Sequence, residues 1–273
     1  VRKIPKDLEN SYENIEWIKV DIINLSVLNK IFTKNDIVIN LTYIRDDHLK
    51  NNIDLINSIV DACISSKVSR LVHCSTASVY GDTKTKIINE STKCIPKISY
   101  EKIKMRIEEI VSNASLSGID IGILRPTAIV GYNGKNLKKL VNSEIYGNKI
   151  KNYFKKCLMR KMPMHLVPVR DVVAALLFLS FSKKKLNNNV FIISSDDDHD
   201  NNYQRVEEIL SNELHLKVNK FPTIFIPMIF QKLIFKIINR NDLNLERIYD
   251  SKKIRDYGFV PIDTVKDAIL QFI

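Results

Sequence analysis

Short apolar runs alternate with stretches of helical periodicity through the first half of the chain, and this alternation narrows the fold more than any other feature. Ile15-Glu16-Trp17-Ile18-Lys19-Val20-Asp21-Ile22 reads as a strand, and the apolar positions Leu25, Val27, Leu28, Ile31 and Phe32 then follow helical spacing. Ile37-Val38-Ile39-Asn40-Leu41 is almost wholly apolar, the pattern of a strand buried on both faces of a parallel sheet. Residues 51–65 carry Ile53, Ile56, Ile59, Val60 and Cys63 at helical period, and Arg70-Leu71-Val72-His73-Cys74 is a second buried strand. A helix from about Tyr100 to Ala114 and a strand at Ile119-Asp120-Ile121-Gly122-Ile123-Leu124 continue the series. Strand and helix joined by short links stack as βαβ units, so the expectation is an α/β fold with a doubly wound parallel sheet.

Beyond Gly131 the alternation weakens. Leu137 to Ile150 is a polar helix, Asp171 to Phe181 an apolar one, Asn189-Val190-Phe191-Ile192-Ile193 a late strand, and the chain from about Asp200 is mostly helical. The expected organisation is a sheet domain over residues 1–131, rejoined by about 166–195. Residues 132–165 and 196–273 form a smaller, mostly helical lobe packed on it, since no low-complexity linker separates them.

The net charge of +11 raises nucleic acid as a partner, but the lysines are scattered and form no helical stripe with interleaved aromatics. A solvated basic surface is the expectation, with no nucleic-acid partner. Cys63, Cys74, Cys94 and Cys157 lack metal-ligand or redox spacing, and read as buried thiols of a reducing cytosol. No secretory leader is visible, and the run nearest to a membrane span, Phe221 to Ile238, is interrupted by Pro222, Pro227, Gln231, Lys232 and Lys236. It reads as a packed or amphipathic helix, and the location as cytoplasmic. The acidic run Ser194-Ser195-Asp196-Asp197-Asp198-His199-Asp200 meets no calcium-loop spacing and reads as a solvated loop, so no metal site is expected. His48, His73, His165 and His215 stand apart from any acid or nucleophile at a motif spacing and receive no role.

Two segments carry chemistry. Tyr100 and Lys104 are four apart in Tyr100-Glu101-Lys102-Ile103-Lys104, which puts both on one helix face. An ammonium held near a phenol favours the phenolate and makes a proton-transfer group usable near neutral pH. Leu71-Val72-His73-Cys74-Ser75-Thr76-Ala77-Ser78-Val79-Tyr80-Gly81 ends an apolar strand in a row of hydroxyls, at the carboxyl end where open α/β sheets bind ligands. A hydroxyl there can orient a substrate oxygen while the tyrosine moves its proton.

With these residues in place the sequence resembles the extended short-chain dehydrogenase/reductase family, the NAD-dependent epimerase/dehydratase group acting on nucleotide sugars. Val20-Asp21-Ile22 resembles the family's adenine-contacting strand end, and Asp36-Ile37-Val38-Ile39-Asn40-Leu41-Thr42-Tyr43 its cofactor-lining strand, with Asn52 and its helix next. Ser75-Thr76-Ala77-Ser78-Val79-Tyr80-Gly81 is similar to the hydroxyl motif, and Tyr100 with Lys104 to the Tyr-x-x-x-Lys pair. Leu124-Arg125-Pro126-Thr127-Ala128-Ile129-Val130-Gly131, Val169-Arg170-Asp171-Val172-Val173-Ala174 and Tyr257-Gly258-Phe259-Val260-Pro261 resemble the later segments, in order.

The resemblance implies a Rossmann-like sheet binding NAD or NADP, with Thr76 as catalytic hydroxyl, Tyr100 as acid/base and Lys104 as ribose anchor. It implies cofactor contacts from Asp21, Ile22, Leu41, Thr42, Tyr43, Ser75, Tyr100, Lys104, Pro126 and Thr127. The implied activity is that of an NAD(P)-dependent epimerase, dehydratase or reductase acting at a hydroxyl-bearing carbon. Its partners are a small-molecule substrate, a nucleotide sugar, and a second copy in a homodimer, with no membrane. Three departures stand out. Only 7 glycines occur, the first at Gly81, so the family's glycine-rich phosphate loop has no counterpart, and about one β-α-β step, roughly 30 residues, is missing ahead of Val1. The expectation is a fragment that binds a dinucleotide poorly, and the alternative is a non-catalytic binding or assembly protein that retains the fold. Ala128 replaces an asparagine near the substrate diphosphate, and Val130 replaces a tyrosine. Arg2 and Lys3 fall where basic side chains pair with a 2′-phosphate, which admits NADP.

Overall fold

The structure, a computed structural model, describes residues 14–44, 49–132, 134–215, 224, 226–237 and 246–273. In chain order its elements are α1 (Leu25–Ile31), β1 (Ile37–Asn40), α2 (Leu49–Ser65), β2 (Arg70–Cys74), β3 (Ile87–Ile88), α3 (Ser99–Asn113), β4 (Asp120–Pro126), β5 (Ala128–Val130) and α4 (Lys135–Tyr146). There follow α5 (Lys149–Met159), β6 (Leu166–Pro168), α6 (Val169–Phe181), β7 (Asn189–Ile193), α7 (Tyr203–Glu213), α8 (Met228–Ile237), β8 (Ile248–Tyr249), α9 (Lys252–Tyr257) and α10 (Val265–Phe272).

Four strands form one parallel sheet in the order β1-β2-β4-β7. Parallel neighbours need a crossover, and α2, α3 and α6 are the crossover helices. Successive side chains on a strand point to opposite faces, so Leu71 enters a layer with Ile59, Ile103, Ile107 and Ile121 beneath α2 and α3. Val72 enters the opposite layer with Leu124, Phe191, Val172 and Leu179 beneath α6. Each such burial stabilises by about 1.5–3 kcal/mol, so the two layers hold the sheet rigid where the site is built. A third cluster, Leu137, Leu140, Leu166, Val206, Leu210, Val265 and Ile269, unites α4, β6, α7 and α10.

Several sequence expectations need correction. Residues 15–21 are irregular, because a strand exists only through hydrogen bonds to a neighbour and β1 pairs with β2 alone among the described residues. Their apolar content is used by packing instead, Ile22 lying against the α2 layer. Among the described residues β1 stands at the edge of the sheet with Ile37 exposed, not buried on both faces. The polar helix expected over 137–150 is two helices, broken where Gly147 closes α4 and the Asn148 Oδ1 accepts the N–H groups of Ile150 and Lys151. Cys63 and Cys157 are buried, but Cys74 and Cys94 are half-buried.

The acidic run is no solvated loop. Asp196 accepts from the Tyr249 N–H (2.8 Å), Asp198 from Val265 N–H (2.8 Å), Asp200 from the Arg205 guanidinium (2.9 Å), and Asp197 pairs with Arg255. The segment ties the end of β7 to α7, β8, α9 and α10. Among the described residues no helix is long and apolar enough to cross a membrane.

Candidate active site

Parallel strands deliver the residues that follow them to one sheet edge, where Leu41, Thr42 and Tyr43 leave β1, Ser75 and Thr76 leave β2, and Thr127 follows Pro126, the last residue of β4. The β1–β2 register sets Asn40 opposite His73. The Asn40 Oδ1 accepts from the Thr42 N–H (2.9 Å) and Oγ1 (2.7 Å), so its amide NH2 is what faces the His73 Nδ1 at 3.1 Å. His73 therefore carries its proton on Nε2. Burial pushes its pKa down to about 3, with the nearby Lys104 charge adding to the effect, and the ring is neutral.

The loop leaving β1 is clamped by Asn52 in α2, whose side chain accepts from the Ile44 N–H (2.9 Å) and donates to the Ile44 carbonyl (3.0 Å). This fixes Tyr43, and Tyr43 organises the pair expected from sequence. The Tyr100 ring stands edge-on to the Tyr43 ring at 5.4 Å, and the Lys104 ammonium lies 4.8 Å from the centroid of that same ring. The start of α3 is held by Glu101, whose carboxylate accepts from the Lys97 and Ile98 N–H groups. Lys104 is only 6% exposed, and burial pulls its pKa below the ordinary lysine value while Cys74 and Glu108 oppose the shift. Burial raises the Cys74 thiol, and the Lys104 charge opposes the shift.

Thr76 is half-buried and opens the short 3-10 turn 77–80, its hydroxyl accepting from the Ser78 N–H (3.2 Å) and donating to the Ser78 Oγ (3.1 Å). Ser75 donates its N–H to the Leu124 carbonyl and Thr127 to the Ile193 carbonyl, yet the buried hydroxyls of both have no partner among the described residues. Buried polar groups are normally satisfied, and each left unpaired costs about 1–3 kcal/mol. Two such hydroxyls at the ends of β2 and β4 fit a ligand lying along the carboxyl edge. Pro126, paired with Ile193, ends β4 beside them, and Leu41 is 63% exposed at the edge of β1.

Asp21 and Ile22 line a cavity of about 450 Å³ with Lys19, Val20, Ile23, Ile44 and Leu55. Its apolar walls suit a planar base, and the Asp21 carboxylate suits hydroxyl donors. Arg2, Lys3 and His48 lie outside the described residues.

Behind the site, Arg125 and Glu108 form a buried two-pronged ion pair (Nη2 to Oε2, 2.6 Å), with the guanidinium 4.8 Å from the Tyr80 ring centroid. The Glu108 charge and hydrogen bonds outweigh burial and keep Arg125 firmly cationic. A second polar pair escaped the sequence reading. His165 is held at φ 53°, and its Nδ1 lies 2.7 Å from the Asp196 Oδ2. The partners are 31 positions apart, and only the pairing of β5 with β6 beyond the ends of β4 and β7 brings them together. No local spacing in the chain signals the contact.

A doubly wound parallel sheet with a Tyr/Lys helix and hydroxyl-bearing strand ends defines a Rossmann-like enzyme fold. The chain belongs to the NAD dependent epimerase/dehydratase family, whose profile matches residues 2–193. Among solved structures, UDP-glucuronic acid 4-epimerase from Bacillus cereus in complex with NAD is similar at TM-score 0.70 and 18% identity, over 98% of this chain and 82% of that one. dTDP-glucose 4,6-dehydratase from Bacillus anthracis in complex with NAD gives TM-score 0.69 and 16% identity, over 97% and 80%. RMD from Pseudomonas aeruginosa complexed with NADPH gives 0.66 and 17%, over 92% and 84%. At these identities the likeness is one of fold. No curated protein sequence matches the chain at a significant level.

Proposed function

We propose that the chain is an NAD(P)-dependent epimerase, dehydratase or reductase that acts at a hydroxyl-bearing carbon of a nucleotide sugar. The observation that carries this reading is the Tyr100–Tyr43–Lys104 cluster set at the carboxyl edge beside the Ser75–Thr76 turn. The cavity at Asp21 and Ile22 would hold the adenosine end of the cofactor. Leu41, Thr42 and Tyr43 would line its middle, and Ser75, Pro126 and Thr127 would meet its nicotinamide half, where the two orphan hydroxyls wait for partners. When bound, the cofactor supplies the acceptor and donor of hydride.

Tyr100 takes the proton of the substrate hydroxyl as the carbon is oxidised and returns it on reduction. Lys104 stabilises the phenolate by its charge and holds the cofactor ribose. Thr76 turns its hydroxyl from Ser78 to the substrate oxygen, whose orientation it sets. The reading includes a cytoplasmic location and a homodimer formed through α2 and α3.

Tyr100→Phe is the direct test, run with a panel of nucleotide sugars and both nicotinamide cofactors. Turnover falls by about 10²- to 10⁴-fold while cofactor affinity stays within a small factor of wild type. Wild-type turnover in the variant removes Tyr100 from the mechanism.

A further inference from the structure

The apolar run 221–238 supplies α8, and the structure shows which side of that helix is covered. Phe235 is buried, and Gln231 and Ile234 are half-buried. The Gln231 side chain donates to the Ile226 carbonyl (2.7 Å), and its N–H donates to the Pro227 carbonyl (3.1 Å). Ile229, Phe230, Leu233 and Ile237 are exposed, from 55% for Leu233 to 81% for Ile229, and so is Lys236. At 3.6 residues per turn these five share one arc of about 120°, with Lys236 at one margin and Phe230 at the other. Gln231, Ile234 and Phe235 lie outside it. Apolar side chains scattered singly over a surface are ordinary, but four on one helix face form a patch that marks an interaction surface.

Charge identifies what the patch meets. Asp and Glu number 31 in 273 residues, yet none stands between Glu213 and Asp242. Residues 214–241 carry Lys217, Lys220, Lys232, Lys236 and Arg240, so the stretch is wholly basic within a chain of net charge +11. A second copy docked on this face about a twofold axis would set like charge against like. An anionic lipid surface reverses that relation, because its headgroups attract lysine while the acyl boundary accepts Ile, Leu and Phe. α8 has 10 residues, against about 20 needed to cross the hydrocarbon core. The prolines and lysines that interrupt the run as a span are no obstacle to a helix lying flat in the interface.

We infer that α8 docks the protein on an anionic lipid membrane, with Ile229, Phe230, Leu233 and Ile237 entering the headgroup boundary and Lys236 meeting the lipid phosphates. The inference stands apart from the proposed nucleotide-sugar chemistry, and neither depends on the other.

Co-sedimentation of the full chain with vesicles tests it. Wild type pellets with phosphatidylcholine vesicles containing about 30% phosphatidylglycerol at about 0.1 M salt, and binding drops several-fold at about 0.5 M, where surface charge is screened more steeply. The double variant Phe230→Ser, Leu233→Ser partitions at least about tenfold more weakly, and Lys236→Glu about fivefold or more. Leu116→Ser, which removes an apolar side chain 89% exposed in the turn after α3, leaves binding unchanged. Thermal melts establish that each variant is folded, and Lys236→Glu serves if the double variant is not. Three results each overturn the inference: wild type that does not pellet with the anionic vesicles, equal pelleting with pure phosphatidylcholine, or unchanged binding by the folded variants of α8. Sedimentation velocity on the same samples identifies a second copy as the occupant. A wild-type dimer that the double variant dissolves, with no vesicle binding by either, overturns the lipid assignment.

Discussion

Replacing Glu108 with glutamine puts the strongest demand on the account of the site. Glu108 lies one helical turn beyond Lys104 on α3, with its side chain 3% exposed. Both its oxygens receive Arg125, Nε at 3.0 and 3.2 Å and Nη2 at 2.6 Å, and the guanidinium itself is 6% exposed. Glutamine keeps the shape and one acceptor but loses the charge and turns an NH2 toward a guanidinium. Removing one partner of a buried ion pair costs about 3–5 kcal/mol, because the other charge stays buried and uncompensated. The Tyr80 ring face returns at most about 2 kcal/mol and is already present in the native protein. At about 2–4 °C per kcal/mol for a chain of this size, Tm falls by roughly 6–20 °C. Urea unfolding and thermal melts followed by circular dichroism measure the loss. The combined Glu108→Leu, Arg125→Met variant recovers most of it, since an apolar pair of similar volume carries no desolvation penalty. A Glu108→Gln protein within about 1 kcal/mol of wild type, or a double variant worse than the single one, refutes the reasoning.

Three further outcomes are expected. Asn52→Ala removes both bonds to Ile44, costs about 1–3 kcal/mol, and weakens cofactor binding through the freed Tyr43 loop; unchanged affinity and midpoint count against the clamp. Gly81→Ala places a methyl group against the Ile95 carbonyl at φ 54°, so the urea midpoint drops by the equivalent of about 2 kcal/mol or more, and an unshifted midpoint refutes the strain. His73 is neutral when folded and protonates near pH 6.5 when unfolded, so the unfolded state binds the extra proton and stability falls as pH drops from about 6.5 toward about 3. His73→Gln has a shallower acid limb in stability against pH, and parallel limbs for the two proteins contradict the assignment.

Much of the sheet was legible because its determinants are local. Arg70-Leu71-Val72-His73-Cys74 and Ile119 to Leu124 are apolar runs that only a doubly covered strand satisfies, and α2, α3 and α6 declare themselves by period. Residues 15–22 show the limit of that logic. Alternating apolar residues state that a segment packs, whereas pairing depends on a neighbour that the segment does not encode. Tyr100 and Lys104 were legible as one helix face, but the Tyr43 ring between them was not, because it arrives from the end of β1.

The sequence by itself determined periods, strand ends and the helical spacing of Tyr100 and Lys104, since these depend on residues within one or two turns of each other. Only tertiary structure decided that Asn40 meets His73, that Glu108 meets Arg125, and that Asp196 leaves an acidic run to seize His165. Those partners are 33, 17 and 31 positions apart, and their meeting is a consequence of sheet register and crossover path. A buried polar group takes whichever partner the packed core brings within reach, and that choice is made in space, not along the chain.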